Sequence, residues 1–250
     1  MQKNSFDTYS YRIGIPLGET SDGDKGILGL GHFPSGATVN GYQIFSPNEI
    51  AFINKIIKSG HERYESNRLK FTVLQCDKYY DLNLDGLNDG DEYSRLHSLK
   101  ELAGKLSELK DEVELRRELA KDGIVRSSKV VIIHEVFHFY EEKEESFSET
   151  EREVESLMTY LATVGYHYGI YFLAVFRYRA TRCFSPIIKY LMGRLYGAGF
   201  HPEYSLDFCD RKNKEIIKSL KQNEMLFIPN KDEDFYQICK IEYIKSVLGG

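Results

Sequence analysis

Tryptophan is missing from this chain of 250 residues, and with 18 Tyr and 15 Phe to supply aromatic bulk the gap itself says nothing about function. Cysteine is sparse. Cys76, Cys183, Cys209 and Cys239 are widely spaced and form no CxxC pair, which argues against a cysteine-built zinc site. A chain of this size needs no disulfides to stay folded, so reduced and mostly buried thiols are expected. Residues 1–7 lack the apolar stretch of a secretory signal, which makes the cytoplasm the default compartment unless export uses a route without a classical signal. No long hydrophobic run exists either. The most apolar stretch, 170–176, is short and closely followed by Arg177 and Arg179, so no membrane span is expected. The formal net charge is -5, and without a basic balance or stripe nucleic acid is not an expected partner.

Local signals then set the organisation. The first 45 residues are rich in glycine and turn formers and read as loops and short strands, one of them near 38–45. Ser46-Pro47-Asn48-Glu49 supplies an N-cap, a proline at the first helical position and a capping-box glutamate, for a helix reaching about Lys58 and ended by Gly60. Residues 69–76 read as a strand. A second capping box, Ser98 with Glu101, opens a charged helix to about Lys121, stopped by Gly123. A third, Ser148 with Glu151, opens a helix through about Thr163. Ser185-Pro186 predicts a helix ending near Gly197 or Gly199, and two further helices are expected over 214–222 and 235–248. The sum is an α+β chain in one domain, 1–250, with a strand-rich part, 1–96, and a mainly helical part, 97–250.

The sharpest motif is Val130-Val131-Ile132-Ile133-His134-Glu135-Val136-Phe137-His138, which contains HExxH. On a helix, positions i and i+4 share a face. His134 and His138 would then direct two imidazoles at one zinc ion, with Glu135 beside them as general base. The bland reading is a buried helix carrying two structural histidines. A catalytic zinc also needs a third protein ligand. The metzincin pattern is out, because Glu141 and Glu144 stand where it requires Gly and His. Glutamate remains. Glu151 is the preferred ligand, with Glu149, Glu153 and Glu155 as rivals; Glu155 could also accept the free N–H of a ligating histidine. An acidic solvated helix face explains the same residues without a metal.

Here the sequence resembles the gluzincin peptidases, which pair HExxH with ExxxD on a following helix. Within them it is similar to the ImmA/IrrE family, whose second helix is of the E-x-E-A-N/D-x-F-A type. Glu151-Arg152-Glu153-Val154-Glu155-Ser156-Leu157-Met158 lies over that pattern, with Val154 in place of Ala and Glu155 in place of Asn or Asp. The resemblance implies a zincin-like fold, with Glu151 binding zinc beside His134 and His138. Zinc would lower the pKa of its bound water, Glu135 would take the proton, and the hydroxide would attack a peptide carbonyl. His167, His201 and Tyr204 are candidates for a second electrophile.

A second pattern, 81–92, fits the calcium loop D-x-[DN]-x-[DN]-G-x5-E without a gap. Asp81, Asn83, Asp85, Asp89 and Glu92 would supply side-chain oxygens and Leu87 a carbonyl, with Gly86 at the sharp turn. The alternative is an Asx-rich turn, which Asn, Asp and Gly favour unaided. The expectation from sequence is therefore a zinc metalloendopeptidase acting on a protein or peptide substrate, with Zn2+ and a structural Ca2+. A zinc hydrolase acting on a non-peptide bond is a further possibility. The reading from a different class is a calcium-stabilised binding module whose HExxH helix does no chemistry.

Overall fold

A computed structural model describes residues 13–32, 38–77, 82–139, 148–177, 190–200, 211–229 and 236–241. Its strands are β1 (Ile13–Thr20), β2 (Lys25–His32), β3 (Thr38–Val39), β4 (Gly41–Phe45), β5 (Leu69–Gln75), β6 (Glu92–Arg95), β7 (Ser128–His134), β8 (Ile170–Phe176), β9 (Gly193–Gly197), β10 (Glu224–Ile228) and β11 (Gln237–Ile241). Its helices are α1 (Glu49–Arg63), α2 (Leu99–Lys121), α3 (Glu149–Val164) and α4 (Arg211–Ser219). All eleven strands join one sheet in the order β3-β2-β1-β11-β10-β9-β4-β8-β7-β5-β6. From β9 to β6 every pairing is parallel, while β10, β11, β1, β2 and β3 add an antiparallel wing.

The parallel half exists because its strands are apolar on both faces. In β7, Val130 and Ile132 pack with α1 residues Phe52, Ile53, Ile56 and Ile57, whereas Val131 and Ile133 pack with Leu102, Leu106 and Val113 of α2 and with Val154, Met158 and Leu161 of α3. β8 divides the same way, with Tyr171, Leu173 and Val175 on the α1 side and Phe172, Ala174 and Phe176 on the other. A near-continuous apolar strand covered by helices on both sides is what a buried parallel sheet requires. Each aliphatic side chain fully buried here contributes about 1.5–3 kcal/mol.

This architecture overturns the zincin-like α+β expectation. The part beyond residue 97 supplies five strands of the sheet, β7, β8, β9, β10 and β11, beside its helices α2, α3 and α4. The HExxH helix is absent: His134 ends strand β7, Glu135 has φ 56, and Val136–Phe139 forms a short 3-10 turn. The β-branched run Val130-Val131-Ile132-Ile133 is better housed between β5 and β8 than on a helix, because branching at Cβ restricts helical rotamers and suits a pleated surface. The helix expected at 235–248 gives way to β11 over its described part, and Gly197 ends a strand instead of a helix begun at Ser185, which lies outside the described residues. The capped elements fare better. α2 starts after Ser98, whose side chain accepts from Glu101 N, and stops before Gly123 at φ 74. α3 starts with a complete capping box between Ser148 and Glu151.

Candidate functional site

Successive βα units carry the chain from β4 through α1 to β5, from β7 through α3 to β8, and then to β9 on the far side of β4. The strand order thus reverses around β4. In open α/β sheets, ligands bind at the carboxyl ends of strands beside such a reversal. Four segments meet there: Ser46 to Glu49 after β4, Cys76 and Asp77 after β5, His134 and Glu135 at the tip of β7, and Arg177 after β8.

Backbone bonds hold these tips in register. Ser46 N donates to Phe176 O at 2.9 Å, Cys76 N to His134 O at 2.9 Å and Glu135 N to Val175 O at 3.0 Å. The side chains then interlock. Arg177 N donates to the Glu135 carboxylate, and Arg177 Nε lies 3.5 Å from Glu49 Oε1. Glu49, Asp77, His134 and Glu135 are all buried. Burial pushes the Glu49 carboxyl above its ordinary value; the hydrogen bond to its own backbone N–H and the Arg177 guanidinium pull it back, while Asp77 drives it further up. Burial also raises the Cys76 thiol, with Glu135 and Asp77 adding to the effect, so Cys76 is a buried thiol and no nucleophile. Glu135 adopts the left-handed region, which costs a residue with a Cβ about 1–2 kcal/mol. Such strain is found where surroundings over-determine a functional conformation.

Beside this cluster a cleft of about 750 Å3 runs along α1 towards loop 83–88, lined among others by Pro47, Glu49, Asn54, His61, Asn83 and Arg177. The loop is fixed by protein groups. Asn54 Nδ2 donates to Asn83 O at 2.9 Å, and Asp85 N donates to Asn54 Oδ1 at 3.2 Å. The Asp91 carboxylate accepts from Phe71 N at 2.8 Å and Asn88 N at 2.9 Å, and lies 2.6 Å from His61 Nε2.

The residues predicted from sequence fall as follows. His134 and Glu135 are adjacent at the tip of β7, but in a strand and a left-handed turn, not on one helix face. Of His138 only the backbone is described, in the 3-10 turn. Glu151 spends its carboxylate on the Ser148 N–H in the capping box. Among the calcium-loop residues, Asp81 lies outside the described residues, and Glu92 belongs to β6, where it accepts from Thr72 Oγ1 at 3.2 Å and sits 3.9 Å from Lys129 Nζ. Asp85 and Asp89 are exposed, and Leu87 packs against the α1 side of the core. Gly86 is small because a Cβ there would stand 3.2 Å from Ile57 Cγ2 on α1. No group of three or more His, Cys, Asp or Glu among the described residues could hold a metal ion. His167 lies just before β8, at the opposite end of the sheet from the tips, and His201 and Tyr204 lie outside the described residues. Sequence reasoning missed Asp77 and Arg177 and saw Glu49 only as a cap. The usable signal was the alternation of apolar strands with capped helices, which makes strand tips the place to look.

No family model and no curated protein sequence matches this chain. Solved structures do match in fold. EccC of Thermomonospora curvata (ATPases 2 and 3), in complex with a signal sequence peptide, superposes with TM-score 0.65 at 13% identity over 95% of this chain and 41% of that one. The pCW3 conjugation coupling protein TcpA with ATPgS gives 0.60 at 14% identity over 97% of this chain and 69% of that one. The genome packaging NTPase of Sulfolobus turreted icosahedral virus 2 with ATP-gammaS gives 0.51 at 12% identity over 81% and 98%. The chain therefore shares its fold with these ATPase and NTPase domains and spans under half of the EccC chain it matches. That fold and the strand geometry of the motif overturn the zinc metallopeptidase, its Zn2+ and Ca2+ cofactors and the calcium-module alternative together.

P-loop enzymes hold nucleotide phosphates on a Gly-rich turn, GxxxxGK[ST], between a strand and a helix, and hold Mg2+ with the loop Ser or Thr and a Walker-B Asp. The residues of this chain do not fit Mg2+-nucleotide in that mode. The turn from β4 to α1 reads Ser46-Pro47-Asn48-Glu49 and has neither glycine nor lysine; the only Gly-Lys pair, Gly104-Lys105, lies on α2. Pro47 has no N–H, and Asn48 N is turned to Ser46 Oγ at 3.2 Å. At the start of α1, where a phosphate would sit, stands the Glu49 carboxylate. His134 occupies the tip of β7. Among the described residues, no helix is long and apolar enough to cross a membrane.

Proposed function

We propose that this chain is a motor-ATPase-fold module that does not hydrolyse nucleotide and serves a transport machine by recognition or assembly. One observation carries the reading: the N-terminus of α1, the phosphate seat of the fold, is filled by the buried Glu49 carboxylate and its Arg177 partner. A helix N-terminus attracts anions through its free N–H groups and its dipole. Here the chain supplies that anion itself, and a triphosphate would have to displace or face a like charge. EccC was solved with a signal sequence peptide and as the cytoplasmic domain of a secretion ATPase. By that likeness the partner of this chain is a polypeptide, and its place of work is the cytoplasmic side.

The test is a titration of the purified chain with fluorescent ATP analogue and Mg2+, alongside a phosphate-release assay. The expected result is no saturable binding and no release above blank. Saturable binding in the micromolar range, or turnover abolished by Glu135→Gln, would overturn the reading and return the chain to the working ATPases.

A further inference from the structure

The end of the sheet opposite the strand tips carries a feature that the strand-tip cluster does not explain. Between α2 and β7 the chain exposes two apolar side chains in succession, Ile124 at 51% and Val125 at 77%. This loop is held on both flanks. Ile124 N donates to Leu119 O at 3.0 Å, and Ser128 N donates to Arg68 O at 2.9 Å. The buried Arg116 donates to Ser127 O at 2.8 Å and, across the fold, to Tyr168 O at 3.0 Å. An apolar pair presented by a pinned loop loses little freedom when something covers it.

Beside Val125 lies a concavity of about 250 Å3, walled by Ile13, Tyr64, Arg68, Arg126 and the hydroxyl-bearing pair Ser127 and Ser128. Its far wall is pinned too, since Tyr64 Oη accepts from Gly14 N at 2.9 Å. Among the described residues, no carboxylate lines it. Arg68 and Arg126 are exposed and form no ion pair among the described residues, although the chain carries a net charge of -5. Two unpaired guanidinium groups next to an exposed aliphatic pair are complementary to an acidic, apolar ligand, because arginine matches carboxylate geometry bidentately and is weakly hydrated.

We propose that this surface docks an acidic segment of a partner polypeptide, with a carboxylate between Arg68 and Arg126 and a neighbouring apolar side chain on Ile124 and Val125. The space suits one or two side chains and not a drug-sized molecule, whose sites start near 300 Å3. Nucleic acid would call for a basic stripe, and an anionic membrane for a cluster of roughly four to eight basic residues; among the described residues, this concavity is lined by two arginines and no lysine. The proposal rests on the recognition-module reading and names the surface through which recognition occurs.

The experiment uses the isotopically labelled full chain and the synthetic peptide acetyl-Glu-Leu-Asp-Phe-Glu-amide, followed by amide chemical shifts. The expected result is saturable shifts at Arg68, Val125, Arg126 and Ser127. Binding should fall about tenfold in Arg68→Glu and in Arg126→Glu, a step of about 1.4 kcal/mol for reversing one charge at an interface. Both positions are exposed, so both variants stay folded, and Val125→Ser should weaken binding without touching charge. The proposal is overturned if the peptide moves none of these amides. It is equally overturned if acetyl-Glu-Gly-Asp-Gly-Glu-amide binds as well, or if phosphatidylserine vesicles or single-stranded DNA move them at lower concentration. The ATP titration on the same sample judges the non-hydrolysing reading separately: nucleotide binding with the peptide shifts intact would sink that reading and leave the docking surface standing.

Discussion

Alanine and glycine at position 135 should reverse their usual order of stability, and the reversal separates the two conformations open to the HExxH segment. In the structure Glu135 sits at φ 56 between the end of β7 and a 3-10 turn. Both Glu135→Ala and Glu135→Gly delete the carboxylate that accepts from Arg177 N, so that loss cancels in the comparison. Alanine keeps the left-handed penalty of about 1–2 kcal/mol, whereas glycine escapes it and gives back about 0.4–1 kcal/mol through the greater freedom of its unfolded chain. Glycine should therefore be the more stable of the two by about 1 kcal/mol. Were the segment helical, glycine would be the worse residue by about 1 kcal/mol. The two cases differ in sign and by about 2 kcal/mol, well within reach of urea unfolding of the paired variants at matched slope. Alanine more stable than glycine would refute the strand-and-turn geometry of the tip of β7 and everything built on it.

Three further outcomes follow from the same contacts. Glu49→Gln should stabilise the chain at neutral pH: its folded carboxyl titrates above the ordinary 4.5, so the native state holds a proton the unfolded chain has lost, and wild-type stability falls as pH rises through that window. Wild type and variant should converge below pH 4.5 and separate above it; parallel pH profiles would show that burial does not govern Glu49. Asp91→Ala removes the acceptor used by Phe71 N and Asn88 N and the partner of His61, and should cost about 3 kcal/mol in chemical unfolding. Adding calcium chloride or EGTA to the wild type should leave its unfolding midpoint in place, since Asp91 already fixes the loop; a midpoint raised by calcium would bring the metal-loop reading back.

How much of this was legible depended on how local the signal was. The start and stop of α2 and the start of α3 could be read because Ser98, Gly123 and the Ser148–Glu151 box act within a turn of the helix end they define. Strand β5 could be read from its own apolar content. β7 could not, since Val130 to Ile133 bury both faces and periodicity does not separate such a strand from a buried helix. The short pattern HExxH then tipped the choice, although the β-branched run argued the other way. β11 was lost because Ile238, Cys239 and Ile241 become a strand only through pairing with β1 and β10, partners distant in sequence.

The site was less legible than the fold because its residues have no meaning until the sheet assembles. Ser46-Pro47-Asn48-Glu49 marks a helix start, although α1 begins at Glu49 after Asn48, which makes no side-chain cap bond, and runs past Gly60 to Arg63; nothing local says that this helix begins where the sheet's order reverses. Asp77 and Arg177 follow strands separated by about a hundred residues and meet Glu49 only through the order β4-β8-β7-β5. Once they meet, the two departures from a phosphate-binding site support each other. At the first turn of α1 the helix dipole and Arg177, anchored through its backbone to Glu135, offset part of the cost of burying the Glu49 carboxyl. Placing lysine at position 49 alone would set it beside Arg177 with no phosphate cradle to serve, because Pro47 still withholds an N–H and His134 still ends β7. Nucleotide binding in the P-loop mode would therefore require the turn and the strand tip to change together, and Glu49→Lys by itself should show no saturable ATP binding.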